Sequence, residues 1–164
     1  MKYQVSSGKL TVKARSRVHD TTTVWDKVSG DVDADPDAIE QAKATFSVDM
    51  TSFDAGDFLK NRKLRKDFDM DGNPTATFTL DRVSDVVRDG SKFTAKATGT
   101  LRWRGKDIVL ELAGQGSLDR DRLEARASFP LDIKRLGLQA PKFFVFKMED
   151  EVTVEVSVRG GVQP

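Results

Sequence analysis

The chain has 164 residues, long enough for one domain with a sizeable core, and its 27 Lys and Arg against 26 Asp and Glu leave a formal charge of +1. This balance excludes a global electrostatic attraction to nucleic acid or to an anionic membrane. The absence of cysteine excludes disulfides, thiolate metal sites and cysteine nucleophiles, and with His19 as the only histidine the usual histidine-rich zinc site is excluded as well.

The start of the chain, MKYQVSSG, lacks the apolar run of a signal peptide. No later segment approaches the roughly 18 consecutive apolar residues of a membrane span. If Met1 is the native start, we expect a cytoplasmic protein. If a leader was removed, we expect a periplasmic or secreted one.

Apolar and polar residues alternate along eight segments of the chain. Such alternation with period two is typical of antiparallel strands that have one buried and one solvated face. In chain order the segments are 10–18, 24–32, 44–50, 76–80, 93–103, 108–114, 123–129 and 152–158. We therefore predict about eight half-buried strands.

The second half of the chain carries turn residues between its alternating segments. Asp89-Gly90 is typical of a hairpin turn, and residues 104–107 and 118–121 fit two further tight reversals. These turns predict a meander of sequential hairpins.

Two stretches do not alternate and are predicted to be short helices, at residues 36–41 and 57–66. No internal repeat or low-complexity segment divides the chain. We expect residues 1–160 to form a single domain and residues 161–164 to be a frayed tail.

Eight amphipathic strands must bury one apolar face. Closing into a barrel does this and also removes the sheet edges, whereas a two-sheet sandwich is the competing solution. The unbroken hairpin order favours an all-β fold: an eight-stranded antiparallel up-and-down β-barrel with one or two short helices.

The apolar face of these strands is uneven in size. Its bulky members include Phe93, Leu101, Trp103 and Phe129, and its small members at mid-strand are Ala95, Ala97, Gly99, Ala125 and Ala127. Small residues on neighbouring strands favour unfilled volume that a ligand would occupy, but facing bulky residues could also plug the gap. No strongly polar or charged residue recurs on this face, so the guest implied is long and apolar.

The sequence offers little for catalysis. His19 lies on the polar side of the first strand, and neither a nucleophile-elbow motif nor a phosphate-binding glycine loop is present. We therefore expect no enzyme activity and no cofactor.

The segment KDFDMDGNP begins like a calcium loop, with aspartates at 67, 69 and 71 followed by a glycine. The twelfth position from Asp67 should be a bidentate glutamate, but it is Phe78, which belongs to a predicted strand. We interpret the segment as an acidic turn whose aspartates pair with the preceding cations, and we expect no metal site.

Residues 60–66, KNRKLRK, form the one dense basic cluster. The cluster lacks the aromatic surface of single-strand nucleic-acid binders, so we expect no nucleic-acid partner. It is either a solvated helix face or a positive rim that meets anionic head groups of a membrane or ligand.

The order of these features resembles the YceI-like family of lipocalin-like, polyisoprenoid-binding proteins along nearly the whole chain. Residues 3–30, with His19 and the sequence VSG, resemble the opening strands, and residues 52–78 resemble the helical excursion that ends in a strand with phenylalanine. Residues 99–106 are similar to the Gly-x-Leu hairpin, and residues 148–158 are similar to the closing strand.

The resemblance implies an extended lipocalin-like barrel with a long apolar tunnel that holds an isoprenoid chain or another amphiphile, without chemistry by the protein. The chain departs from the family pattern at Lys60-Asn61, at Lys63 and at Gly105-Lys106. These changes lie near the expected rim, where the head group of a ligand would be.

We therefore predict a non-enzymatic protein that binds, stores or transports a polyisoprenoid, a quinone-like isoprenoid or a fatty acyl lipid. The alternative is a stress-response or assembly module with a filled barrel that docks a partner through its basic helix. Transient contact with an anionic membrane through residues 60–66 and a homodimer are further options that the sequence leaves open. The side chains expected to line the tunnel are Phe46, Val48, Phe78, Leu80, Phe93, Ala95, Ala97, Leu101, Trp103, Leu110, Leu112, Ala125, Ala127, Phe129 and Val154.

Overall fold

The computed structural model describes residues 1–17, 20–140, 142–143 and 146–163. His19 lies outside these ranges. The strands are β1 (Lys2–Arg15), β2 (Asp20–Trp25), β3 (Val28–Asp35), β4 (Ala38–Asp49), β5 (Phe53–Asp54), β6 (Thr75–Asp89), β7 (Lys92–Trp103), β8 (Lys106–Leu118), β9 (Arg122–Asp132), β10 (Lys142–Phe143), β11 (Phe146–Lys147) and β12 (Glu151–Val162). The helices are α1 (Phe58–Asp67) and the 3₁₀ helices η1 (Met50–Ser52) and η2 (Ile133–Leu136).

Eight of the strands close into an antiparallel barrel. The hydrogen-bonded order is β12-β9-β8-β7-β6-β4-β3-β1, and pairing of β1 with β12 completes the circle. Neighbours in the barrel follow one another along the chain, and β6 to β9 form the expected meander. The predicted eight-stranded up-and-down barrel is confirmed.

The tight turns of the meander have the geometry that their residues predict. Two residues, Arg104 and Gly105, connect β7 to β8, and their φ angles are +57° and +71°. Positive φ at both central residues matches the right-handed twist of the strands that the turn joins.

The strand predicted over 24–32 is in fact two strands, β2 and β3, separated by Asp26 and Lys27. This break changes which residues face inward, so that Trp25 is buried rather than Val24. β1 pairs with β3 only through Lys2–Gln4 and pairs with β2 from Leu10 onward, which makes room for the additional strand. The continuous alternation expected for 24–32 was wrong because an inserted turn shifts the pleat.

The predicted helix over 36–41 is wrong, since Pro36 and Asp37 form the turn after β3 and residues 38–41 begin β4. The carboxylate of Asp35 accepts a hydrogen bond from the backbone N–H of Asp37 at 2.9 Å, which is the side-chain chemistry of a tight turn. Ile39, only 4% exposed, is then buried as a strand residue.

The predicted helix over 57–66 is confirmed as α1. Asp57 is its N-cap and accepts a hydrogen bond from Lys60 N at 2.8 Å. Leu64 anchors the helix to the barrel and is 5% exposed.

β12 continues through Val162, which is the second residue of the tail predicted for residues 161–164. The backbone N–H of Val162 donates to Asp121 O at 3.0 Å, and that of Gln163 donates to Lys2 O at 2.8 Å. Hydrogen bonds to both neighbouring segments therefore hold the end of this strand.

The buried core falls into two main clusters at opposite ends of the barrel. The helix end, where α1, η1 and η2 pack, contains the cluster of Trp25, Met50, Leu64, Met70 and Trp103 together with further aliphatic residues. The opposite end contains the cluster of Tyr3, Val32, Ala34, Ile39, Ala44, Leu118 and Leu123. The barrel is thus packed most tightly near its ends.

The turn between β8 and β9 joins the opposite-end cluster to the start of the chain. The Tyr3 hydroxyl donates to the backbone oxygen of Asp119 at 2.5 Å, and Tyr3 is 0% exposed. The Asp119 carboxylate accepts from the backbone N–H groups of Asp121 and Arg122, both at 2.8 Å. These hydrogen bonds lower the pKa of Asp119.

We expect Asp119→Ala to lower the Tm at neutral pH, and we expect this difference from the wild type to disappear in acid. The folded-state pKa lies below its ordinary value of 3.8, so the carboxylate stabilises the fold above that pH. Its contribution is lost as the pH falls through the lowered pKa. Thermal unfolding followed by circular dichroism from neutral pH to strong acid measures this dependence.

Asp121→Ala, in the same turn, is the matched control, because the Asp121 carboxylate accepts no hydrogen bond among the described residues. A Tm difference for Asp119→Ala that stays constant down to strong acid would contradict the assigned role of the carboxylate.

Candidate functional site: the barrel interior

The residues predicted to line a tunnel share the inner face of the barrel wall. Cross-strand registers connect them in rows: Phe46 pairs with Phe78, and Phe78 pairs with Leu101. Ala97 likewise pairs with Leu112. Because partners in register point to the same side of a sheet, the rows run around the interior.

These predicted residues differ in how deeply they are buried. Trp103, Leu110 and Val154 are fully buried in the helix-end cluster, with exposures of 6%, 4% and 4%. The half-buried members are Phe46, Val48, Phe78, Leu80, Phe93, Ala95, Ala97, Leu101, Leu112, Ala125, Ala127 and Phe129. Most of the predicted residues thus keep accessible apolar surface although they point inward.

The solvent exposure of these inward-facing residues differs from that expected in a filled barrel. When side chains plug a small barrel, inward residues at mid-strand are the most protected, because wall surrounds them on every side. Here most of the fully buried residues belong to the two end clusters, and a small third cluster of Val5, Val28 and Val158 is buried on the side of β1, β3 and β12. The half-buried apolar residues named above lie between the two ends. Accessible surface on the inner wall means that side chains leave space in the middle of the barrel.

A row of small residues crosses three adjacent strands of the inner wall. Ala95 on β7 pairs with Gly114 on β8, and Gly114 pairs with Ala127 on β9. A Cβ atom added at Gly114 would lie 3.4 Å from Arg126 O and 4.0 Å from the Ala127 Cβ, both ordinary contacts. No bulky side chain covers this row from the facing wall at that distance.

Gly99 does not contribute open space, contrary to the expectation from its size. A Cβ atom at Gly99 would overlap the ring of Phe78 on the neighbouring strand. Phe46 covers Gly30 in the same way, since a Cβ atom there would lie 2.7 Å from the Phe46 Cδ1 atom. The barrel therefore uses a phenylalanine to fill the space over a glycine at two positions.

Sequence reasoning missed several residues of the inner wall. Leu10 and Val12 on β1 and Val156 on β12 are half-buried, and Leu10 pairs directly with Val156. They have the same alternation as the predicted lining, so the pattern could have identified them.

Polar residues also occur inside, which the sequence did not predict. Thr21 and Thr23 on β2 are 4% and 6% exposed and pair with Ala14 and Val12. Within the described ranges they are the fully buried polar residues, and the Thr21 hydroxyl has no hydrogen-bond partner there. The inner surface is otherwise apolar.

Aspartates of the acidic turn after α1 form ion pairs with cations of the helix. Lys63 Nζ lies 2.9 Å from Asp67, and an Arg65 guanidinium nitrogen lies 2.7 Å from Asp71. Asp69 accepts from Gly72 N at 3.2 Å. The expected pairing of these aspartates with the preceding cations is confirmed for Asp67 and Asp71, and no group of three metal-binding side chains occurs in the described part of the chain.

A cleft of about 690 Å³ lies near the point where β1 leaves β3, and Val48 of the inner face belongs to its lining. Hydroxyl and charged side chains dominate its lining, which makes it unlike the apolar interior. The lining residues are Ser6, Ser7, Asp26, Lys27, Val28, Ser29, Ser47, Val48, Asp49, Thr51, Pro74 and Thr75.

A closed eight-stranded antiparallel barrel with an apolar inner face defines the class of lipocalin-like β-barrels. None of the helices in the described ranges is long and apolar enough to cross a membrane. The sequence model of the YceI-like domain matches residues 3–159, so the chain belongs to the YceI-like family.

Solved structures of other proteins share this fold. BcnA of Burkholderia cenocepacia superposes with a TM-score of 0.78 at 22% identity, covering 93% of this chain and 95% of that chain. A polyisoprenoid-binding domain from Saccharophagus degradans, implicated in plant cell wall breakdown, has a TM-score of 0.80 at 16% identity, with 98% of both chains covered. The YceI protein of Campylobacter jejuni has a TM-score of 0.73 at 16% identity, covering 90% of this chain and 88% of that chain. No curated protein matches the sequence.

Proposed function

We propose that this protein binds a long apolar amphiphile, such as a polyisoprenoid, a quinone-like isoprenoid or a fatty acyl lipid, inside the barrel and does no chemistry on it. The observation that carries the proposal is the ring of half-buried apolar residues between two buried end clusters. Membership of the YceI-like family and the similarity to a polyisoprenoid-binding domain support it.

The energetics of the interior favour such a ligand. Apolar wall that faces empty space loses dispersion contacts, and each methylene that a guest buries contributes about 0.8 kcal/mol. A long chain can touch both Phe93 and Phe78, which pack against clusters at opposite ends of the barrel. Storage or transport of the bound molecule follows from reversible binding of this kind.

The alternative, a module with a filled barrel that docks a partner, requires side chains to occupy the interior. The small row Ala95, Gly114 and Ala127 argues against this, because Ala127 is the only side chain among the described residues within 4 Å of a Cβ atom placed at Gly114. The carrier proposal is therefore favoured over the filled module.

Organic extraction of the purified protein followed by mass spectrometry tests the proposal. We expect a prenyl or acyl species in stoichiometric amount, and we expect the extracted protein to take up a fluorescent fatty acid or prenyl probe that the native ligand displaces. An empty extract together with no uptake of either probe by the refolded protein would exclude the carrier function.

A further inference from the structure

The outer face of α1 exposes two large apolar side chains. Phe58 is 74% exposed and Leu59 is 65% exposed, at the first two positions of the helix. The other side of α1 is fixed to the barrel, because Leu64 is buried and the Asn61 side-chain oxygen accepts from Ala55 N at 2.6 Å. The exposed pair is thus held on a rigid support at the helix end of the barrel.

Cations share this outer face. Phe58, Arg62 and Lys66 follow one another at intervals of four residues, and Leu59 stands in the same relation to Lys63, so all five lie on one side of the helix. Arg62 and Lys66 are exposed. The outer face of α1 therefore combines a two-residue apolar tip with a row of positive charge.

The acidic residues around α1 neutralise only part of that charge. Lys60 lies 4.0 Å from Asp57, while Lys63 pairs with Asp67 and Arg65 pairs with Asp71. Arg62 and Lys66 make no ion pair among the described residues. These two cations remain available to an external anion.

One corner of the opposite end of the barrel, the turn from β3 into β4, is acidic. Asp31, Asp33 and Asp35 are exposed along β3, and Asp37 and Glu40 follow them around the turn into β4. An anionic surface would attract α1 and repel this corner, which favours an approach with α1 facing the surface.

From this arrangement we infer that the outer face of α1 docks reversibly on an anionic lipid bilayer, with Phe58 and Leu59 entering the interface and Arg62 and Lys66 contacting lipid phosphates. Two apolar side chains are too few for a stable protein interface, which buries about 800 Å² per partner. A lipid surface accepts such a small apolar anchor when cations accompany it. Docking would serve to load or unload the barrel, and this purpose rests on the proposed function. Docking itself is measured without a ligand.

Co-sedimentation with vesicles of phosphatidylcholine and phosphatidylglycerol, compared with phosphatidylcholine alone, tests the inference on the full chain. We expect binding to the anionic vesicles that weakens as salt rises. Phe58→Ser/Leu59→Ser should weaken binding by about 100-fold, since each apolar side chain leaves the interface. Arg62→Gln/Lys66→Gln should weaken it by about 30-fold, or roughly fivefold per cation.

Two matched variants control for apolar surface and for charge elsewhere on the barrel. Val87→Ser removes an exposed valine near the β6–β7 turn, at the end of the barrel opposite to α1, and Lys92→Gln/Arg120→Gln removes cations from turns at that same end. Both should bind as the wild type does. Three outcomes would overturn the inference: no vesicle binding by the wild type, an equal loss of binding in either control, or unchanged binding of the α1 variants. If the wild type does not bind vesicles, a protein partner for α1 remains.

Lipid extraction of the same variants separates this inference from the proposed function. The α1 variants should retain the bound species, because their substitutions lie outside the barrel. Vesicle binding by a wild-type protein that yields an empty extract and takes up neither probe would reject the carrier function and leave the docking face intact.

Discussion

Replacing Ala127 with phenylalanine should reduce ligand binding by at least about 10-fold while the barrel remains folded. The new ring would point inward beside Gly114 and occupy the space along the row with Ala95. The same barrel already places Phe78 over Gly99 and Phe46 over Gly30, so the arrangement is compatible with its strands. Uptake of a fluorescent fatty acid or prenyl probe, together with the Tm, measures both effects.

Ala113→Phe is the matched control for this substitution. Ala113 is exposed on the outer face of β8, next to Gly114, so the same side chain is added on the opposite side of the same wall. We expect wild-type binding from the control. Equal ligand binding by both variants would show that the interior beside Gly114 is not the ligand site. The larger side chain should lower the free energy of unfolding by at most about 1–3 kcal/mol at either position.

Replacing Trp103 with alanine should produce the largest loss of stability, about 3–5 kcal/mol. Trp103 is 6% exposed in the helix-end cluster, and its indole N–H donates to Asn73 O at 2.8 Å, which ties the β7–β8 hairpin to the loop after α1. For a domain of this size we expect a fall in Tm of roughly 2–4 °C per kcal/mol. Denaturant unfolding and calorimetry measure the change.

Trp103→Phe separates packing from hydrogen bonding at this position. It keeps an aromatic ring but leaves Asn73 O without its donor, so we expect an intermediate loss of about 1–3 kcal/mol. Val109→Ala, on an exposed residue of β8, should stay within about 0.5 kcal/mol of the wild type. If Trp103→Ala kept its stability and lost only ligand binding, Trp103 would line the binding surface instead of supporting it.

Local pattern was sufficient for most of the wall and for α1. Alternation with period two follows from the pleat of a strand, so it predicted the strands from β6 to β9 and the final strand β12. The helix followed from the non-alternating segment over 57–66, and the structure shows that its first residue, Asp57, is the N-cap. The resemblance to the YceI-like family, carried by the order of these segments, is confirmed by the match to residues 3–159.

Local pattern failed where a short segment had more than one solution. Residues 36–41 have no alternation of their own, and pairing with β3 makes the end of this segment part of a strand. Residues 24–32 alternate in sequence, and continuous alternation would place Val24 and Val28 on the inner side. The turn at Asp26 and Lys27 keeps Val28 inside but replaces Val24 with Trp25. A two-residue turn without glycine, such as Asp26-Lys27, leaves no mark that period-two reasoning can detect.

By itself the sequence determined a set of strands with one apolar face, because the alternation of side chains along a strand is a local property of the pleat. The β1–β12 pairing that closes them into a barrel is seen only in the tertiary structure. Only the tertiary structure decided which inward residues are packed and which keep open space beside them. Gly99 and Gly114 are both glycines on neighbouring strands. The ring of Phe78 covers Gly99, whereas no ring of the described residues lies within 4 Å of a Cβ atom placed at Gly114. That difference depends on which side chains the register brings next to each glycine, and register is set by the whole sheet.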